Sequence, residues 1–250
     1  MQTMLSPADA DVTGLLDRIA GQFDALTVAL AQRCARDGAL DGTALDDHQV
    51  ASYELAFASS ELLAARTLLA AAGMQPGTLQ HALSAVFAAD AVPSALTRME
   101  AIAREIGADV APIVLIRTDP AYAAMLAAGG TATLEDAGVR LEQGHEPFAE
   151  VDAGEDVAMA RDSFRRFAAD VVAPLAEQIH RHDMTVPESL LQPMREMGVF
   201  GLSVPARFGG SAPDEGEDNL TMIAITEALS EASLAAAGSL ITRPEILTRA

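Results

Sequence analysis

Five histidines and thirty-six carboxylates are the groups in this chain that could hold a metal or move a proton, and their spacing decides which chemistry is open to them. His180 and His182 stand two apart in "HRHD". On a helix that step is about 200°, so the two rings leave on opposite faces and cannot share an ion. No His-Glu-x-x-His occurs, and Cys34 is the one cysteine, which rules out an internal disulfide or a thiolate cluster. No metal site is assigned, and these histidines read as solvated helix-end residues. Nucleophilic catalysis fares no better, because no Gly-x-Ser-x-Gly elbow is present. The glycine-rich stretches "AAGGTAT" and "RFGGSAP" lack dinucleotide-loop spacing, and all sixteen cations are arginine, so a lysine-dependent phosphate loop is excluded. The acidic pairs Asp46-Asp47 and Glu135-Asp136 read as helix caps or solvated charge, as carboxylates usually are. No catalytic residue is assigned.

The elements that would have to position a site are helical. Half of the residues are apolar but only 4% are aromatic. Alanine fills the gap, and a chain rich in Ala, Leu and Glu with few β-branched runs predicts an all-α fold. At 250 residues two modest domains are expected, since single cores stop growing at roughly 250 to 300 residues. The net charge of -20 repels phosphate backbones and anionic lipid, so neither nucleic acid nor a membrane surface is an expected partner. The amino terminus lacks signal-peptide character, and no apolar run approaches the roughly 20 residues of a spanning helix. The expected location is cytoplasmic.

Along the chain, Ser6 and Pro7 can open a first helix carrying Leu15, Leu16, Ile19, Phe23, Leu26 and Leu30, with Gly38 and Gly42 as stop signals. A second helix is predicted from about Asp47 to Ala72. Its face of Val50, Tyr53, Phe57, Ser60 and Ala64 suits burial on several sides, with neighbours in close approach. Two helices follow, Leu79 to Ala89 and Ser94 to Ile106, divided at Asp90 to Pro93. From Gly107 to Glu155 the text is less regular, and "VAPIVLIRTDP" suggests a short strand or an extended connection. The expected domain boundary is about residue 150, giving domains 1–150 and 151–250. Beyond it, a stripe of Phe164, Phe167, Val171, Leu175 and Ile179 must kink or restart at Pro174. A helix opens at Pro187, bends at Pro193 and ends at Gly198. An apolar ribbon, Val199 to Val204, then runs to Pro205 and the Gly209-Gly210 pair. The last helix is expected from Leu220 through Leu240, with Pro244 restarting or bending the chain.

The stretch "FAADVVAPLAEQIHRHDMTVPESLLQPMREMGVFGLSVPARFGG" resembles the N-terminal helical domain of acyl-CoA dehydrogenases. Phe167, Ala168, Val172, Pro174, Ala176, Asp183, Pro187, Met194, Gly198, Gly201, Val204, Pro205, Gly209 and Gly210 carry the family pattern, and "ITEALSEASLAAAGSL" is similar to its next helix. Ala206 stands where the family usually has an acidic residue, and Pro193 is unusual. The helix "HQVASYELAFASSELLAARTLLAAA" is similar to one in the C-terminal four-helix domain of the same family, here placed first, an arrangement found in one branch of that family. The resemblance implies two helical bundle domains and the N-terminal part of an FAD-dependent enzyme, with a short branched acyl-CoA thioester as substrate. It further implies an electron-transferring flavoprotein as acceptor and a homo-oligomer when complete. The flavin domain and the catalytic glutamate of the family are expected outside this chain, which would then be a fragment unable by itself to oxidise acyl-CoA. By the same resemblance Ala237, Gly238 and Ile241 fall at the distal end of the acyl pocket, and Arg243 could pair with a distal carboxylate. The alternative readings are a non-catalytic helical interaction module, or the same fragment of an acyl-CoA dehydrogenase with another substrate.

Overall fold

The computed structural model describes residues 7–72, 77–144, 154–215 and 219–249. The chain divides into two compact units, Met1–Glu150 and Val151–Ala250, and it is mostly helical, as the composition predicts.

In the first unit α1 (Pro7–Arg33) buries Leu15, Leu16, Ile19, Leu26 and Leu30, with Phe23 packed beside them. Ser6, the expected cap, lies outside the described residues. The helix stops at buried Cys34, before a two-residue hairpin of β1 (Ala35–Arg36) and β2 (Ala39–Leu40) that reverses at Asp37 and Gly38. Gly42 opens α2 (Gly42–Asp47) rather than stopping a helix, because the Asp41 carboxylate accepts from the Ala44 amide at 2.8 Å.

The longest apposition pairs α3 (Gln49–Ala72) with α4 (Leu79–Glu105). Here the structure corrects the sequence reading of which α3 face is buried. Ala51, Ala58 and Ala65 are 0% exposed, whereas Val50 and Tyr53 are 66% and 60% exposed and Phe57 also faces outward. Alanine at seven-residue spacing lets two helices approach closely, and Leu55, Leu62 and Leu69 flank that seam. Large residues therefore lost the inward face to small ones. Polar keys join the two helices at its edge. Arg98 binds Glu54 and lies 3.3 Å from Glu61, Ser94 donates to Glu61 at 2.9 Å, and the Arg98 guanidinium stacks 5.0 Å from the Phe57 ring.

Helix α4 is a second correction. It runs unbroken through Pro93, where two helices were expected. Ala88, Ala91, Val92, Ala95, Leu96, Met99 and Ile102 are buried on both sides of the proline. Continuous burial outweighs the loss of one amide bond. The region expected to be irregular contains α5 (Ala111–Ile116), α6 (Pro120–Ala128) and α7 (Thr131–Gln143). Pro112 sits in the first turn of α5, where its missing N–H costs nothing, and Ile113 and Ile116 form the buried face. The β-branched run is thus a helix and not a strand.

In the second unit α8 (Glu155–Phe167) passes through a π-helical turn, Ala168–Val172, into α9 (Ala173–Arg181). The amide of Ala173 bonds the carbonyl of Ala168, five residues back. The helix thereby absorbs Pro174 in its next turn without stopping. Helix α10 (Glu188–Glu196) follows Pro187, contains Pro193 and closes on Gly198 with φ 74°. After the loop described below come α11 (Asn219–Ser233) and α12 (Thr242–Arg249). The core gathers Phe164, Val172, Ile179, Leu190, Met194, Val199, Ile225 and Leu229.

Candidate functional site

The loop Gly198 to Asp214 carries most of the family-like glycine and proline pattern, and it is folded on itself. Val199–Gly201 and Ala206–Phe208 are 3-10 turns. The expected apolar ribbon is therefore corrected to a compact double turn. Val199 enters the core of the same unit, with Phe200 and Leu202 packed against it, which is a stronger demand than extended pairing. Hydrogen bonds close the loop. Ala206 donates to Ala212 O at 2.9 Å, Ala212 to Val204 O at 3.0 Å, Ser211 to Gly201 O at 3.0 Å, and Gly210 to Pro205 O at 3.3 Å. Gly210 is required by contact, since a Cβ there would stand 2.0 Å from Val204 O. At the tip, the Arg207 amide donates to Asp214 Oδ1 at 2.8 Å, and its guanidinium stacks 4.9 Å from the Phe208 ring.

Residues Ala237, Gly238 and Ile241 lie in the turn that joins α11 to α12. The structure corrects the extent of α11, which ends at Ser233 and not at Leu240. Ser233 stops it, because its hydroxyl accepts from the Ala236 amide at 3.0 Å and its carbonyl from the Ala237 amide at 3.1 Å. The Ser239 amide then bonds Leu234 O at 2.8 Å, and Gly238–Leu240 forms a 3-10 turn. Ala237 is 0% and Ile241 3% exposed, and Gly238 is also buried. All three are drawn into the unit's core. The turn's outward side carries Leu234, Ser239 and Thr242. Arg243 falls within α12, but its side chain lies outside the described residues.

Other candidates group differently. His180 and His182 are both exposed, and among the described residues no cluster of three metal-ligating side chains occurs. In the first unit, Glu100 accepts from Arg117 Nε at 2.9 Å and from Arg104 Nη2 at 3.0 Å, while Arg117 also donates to Tyr122 OH at 3.2 Å and Thr97 Oγ1 at 3.0 Å. Burial pushes the Glu100 carboxyl up, but the two guanidiniums outweigh it and hold the group below the usual glutamate range. A carboxylate kept ionised this way is a poor proton acceptor, so this cluster ties α4 to α5 and α6 instead of doing acid–base work. Sequence reading missed it because its members are spread from residue 97 to residue 122. An apolar groove between α1 and α3, lined by Leu16, Ala20, Phe23, Leu62 and Leu63, has Arg66 at its rim, already bound to Asp17.

One group the sequence did not mark is Ser230. Its hydroxyl is buried, yet it has no hydrogen-bond partner. Ser84, Ser163 and Thr226 behave otherwise, each donating to the carbonyl four residues back at 2.7, 2.8 and 2.7 Å.

Residues 154–248 match the family described as acyl-CoA dehydrogenase, N-terminal domain. The chain carries an acyl-CoA dehydrogenase N-terminal domain. Its match spans α8 to α12 and takes in both the loop and the buried turn. In an alignment 246 residues long that covers 92% of the chain, the sequence is also 30% identical to (2S)-methylsuccinyl-CoA dehydrogenase of Cereibacter sphaeroides. The chain spans 43% of that relative's length. Among the described residues no helix is long and apolar enough to cross a membrane.

Acyl-CoA dehydrogenases are typically FAD-dependent, and a flavin needs donors for its ring and pyrophosphate. In this acyl-CoA dehydrogenase domain the amides of Ala206, Phe208, Gly209, Gly210, Ser211 and Ala212 all spend their hydrogens within the loop. These six amides are therefore not free to cradle the cofactor, and no flavin contact is assigned to them.

Proposed function

We propose that this chain is the N-terminal part of an FAD-dependent acyl-CoA dehydrogenase that introduces an α,β double bond into a short branched acyl-CoA, with methylsuccinyl-CoA the first candidate. The observation that carries the reading is the reach of the methylsuccinyl-CoA dehydrogenase match. It extends over 92% of the chain, so it includes the first unit, well beyond the family domain of residues 154–248. The acyl-CoA class, the branched substrate and the reaction are all proposals, the first supported by the family of residues 154–248. So are the flavin, the electron-transferring flavoprotein that would take its electrons, and assembly into a homo-oligomer. We likewise propose the division of labour between residues 1–150 as a helical extension and 151–250 as the dehydrogenase domain.

In this reading Ala237, Gly238 and Ile241 act from behind the acyl wall, because their burial leaves the outward side of the turn to meet ligand, and the first two are small. Small side chains let the turn sit deep and leave room for a branch. Arg243 is the proposed partner of a distal carboxylate, since a guanidinium fork matches that group in geometry and charge. The reaction oxidises the acyl group by removing an α-proton and a β-hydride. When bound, the flavin supplies the hydride acceptor. No residue of this chain is assigned to the proton transfer. Arg243→Ala should raise KM for methylsuccinyl-CoA by about tenfold or more, the weight of one charge-assisted contact, with little change for butyryl-CoA. Equal effects on the two substrates would contradict the pairing.

A further inference from the structure

Ser230 of α11 and Gly238 of the following turn meet at close range. Gly238 is buried, and a Cβ on it would stand 2.1 Å from Ser230 Oγ, 3.1 Å from its Cβ and 3.2 Å from its Cα. The Ser230 hydroxyl is buried and has no hydrogen-bond partner. It therefore gives up the usual bond to its own helix and is covered by the backbone of the turn. The turn itself is closed by the Ala236, Ala237, Ser239 and Leu240 amides. These bonds couple its residues, so a shift at residue 238 would carry the stretch from Ala236 to Ile241 with it.

We propose that the Ser230–Gly238 contact is a positioning element that sets how deep the α11–α12 turn sits and, through it, how bulky an acyl group the domain accepts. Its link to acyl size rests on the acyl-CoA dehydrogenase reading above. Neither residue touches substrate. Ser230 caps the inward travel of the turn, and the absent side chain at Gly238 allows that travel to be used in full. A methyl at residue 238 meets Ser230 first and lifts the turn, and removing the Ser230 hydroxyl takes away the worst of that clash.

A double-mutant cycle tests this. Hydrogen exchange is followed at the Ala236, Ala237 and Ser239 amides in the wild-type chain, Ser230→Ala, Gly238→Ala and the pair. Gly238→Ala should speed exchange at these amides by about tenfold or more while amides of α1 to α7 stay unchanged. Ser230→Ala alone should leave them as slow as in wild type, and the double variant should return most of the protection. If Gly238→Ala exchanges like wild type, or if the double variant is no slower than Gly238→Ala, the contact does not set the turn. Acyl selection is read separately in turnover by the active enzyme. Gly238→Ala should raise KM for methylsuccinyl-CoA about tenfold, the weight of one methylene in an apolar pocket, with a smaller rise for butyryl-CoA and unchanged kcat. The double variant should reverse that rise. Equal KM shifts for both thioesters, or a fall in kcat alone, would overturn the selection role. Absence of any acyl-CoA turnover by wild type would instead sink the dehydrogenase reading, and the exchange cycle would still judge the contact.

Discussion

Two single residues show how local physics decides tolerance. Gly210 lacks room for a side chain, since a Cβ would meet a backbone oxygen at 2.0 Å and backbone cannot swing aside. Gly210→Ala should therefore destabilise the protein by about 1–3 kcal/mol in urea unfolding, the range for overpacking, and an unchanged midpoint would refute the close approach. Glu100 gives a pH-dependent case. Its folded pKa lies below the ordinary value, so the carboxylate favours folding at pH above the unfolded pKa of about 4.3, and that contribution is lost as pH falls through the lower folded value. Glu100→Gln should cost about 1–3 kcal/mol at pH 7, because Arg117 keeps its place without its charged acceptor. As pH falls through that lowered folded value the gap between wild type and variant should close, and a pH-independent gap would show that the ion pairs are not the cause.

At the scale of elements, most helices were legible and most errors concerned what tertiary burial does to local signals. The leucine spacing of α1 was enough to find its core face. Val50, Tyr53 and Phe57 misled because size suggested burial, while the α3–α4 seam selects alanine for close approach. Pro93 and the β-branched Ile113–Val114 misled in the same way, as local breakers inside segments whose buried faces continue. The α11 ending was missed because Ser233, an ordinary helix residue by composition, caps the next turn instead. For the candidate site, the loop's glycines and prolines were visible in the text, but Ser230 was not, since a missing hydrogen bond leaves no trace in sequence. The seam itself yields a contrast. Ala58→Leu should cost about 1–3 kcal/mol by forcing the helices apart, while Tyr53→Ala should stay within about 0.5 kcal/mol as a surface change. Reversal of that order in urea titrations would put the buried face where the large residues are.

The whole molecule joins two helical units, one carrying an acyl-CoA dehydrogenase domain and the other sharing its relative's sequence beyond that domain. With 36 acidic groups against 16 basic ones, the field of the chain repels anionic ligands, so a thioester with a second carboxylate needs a local cation to bind. Arg243 is the residue proposed to supply that cation. The central claim is that this chain belongs to an enzyme oxidising branched acyl-CoA. The most direct measurement is to isolate the protein that contains this chain from its native cells and follow dye reduction with methylsuccinyl-CoA and butyryl-CoA. The account predicts a yellow flavoprotein with the higher kcat/KM for methylsuccinyl-CoA. A colourless preparation that reduces dye with neither thioester would contradict it.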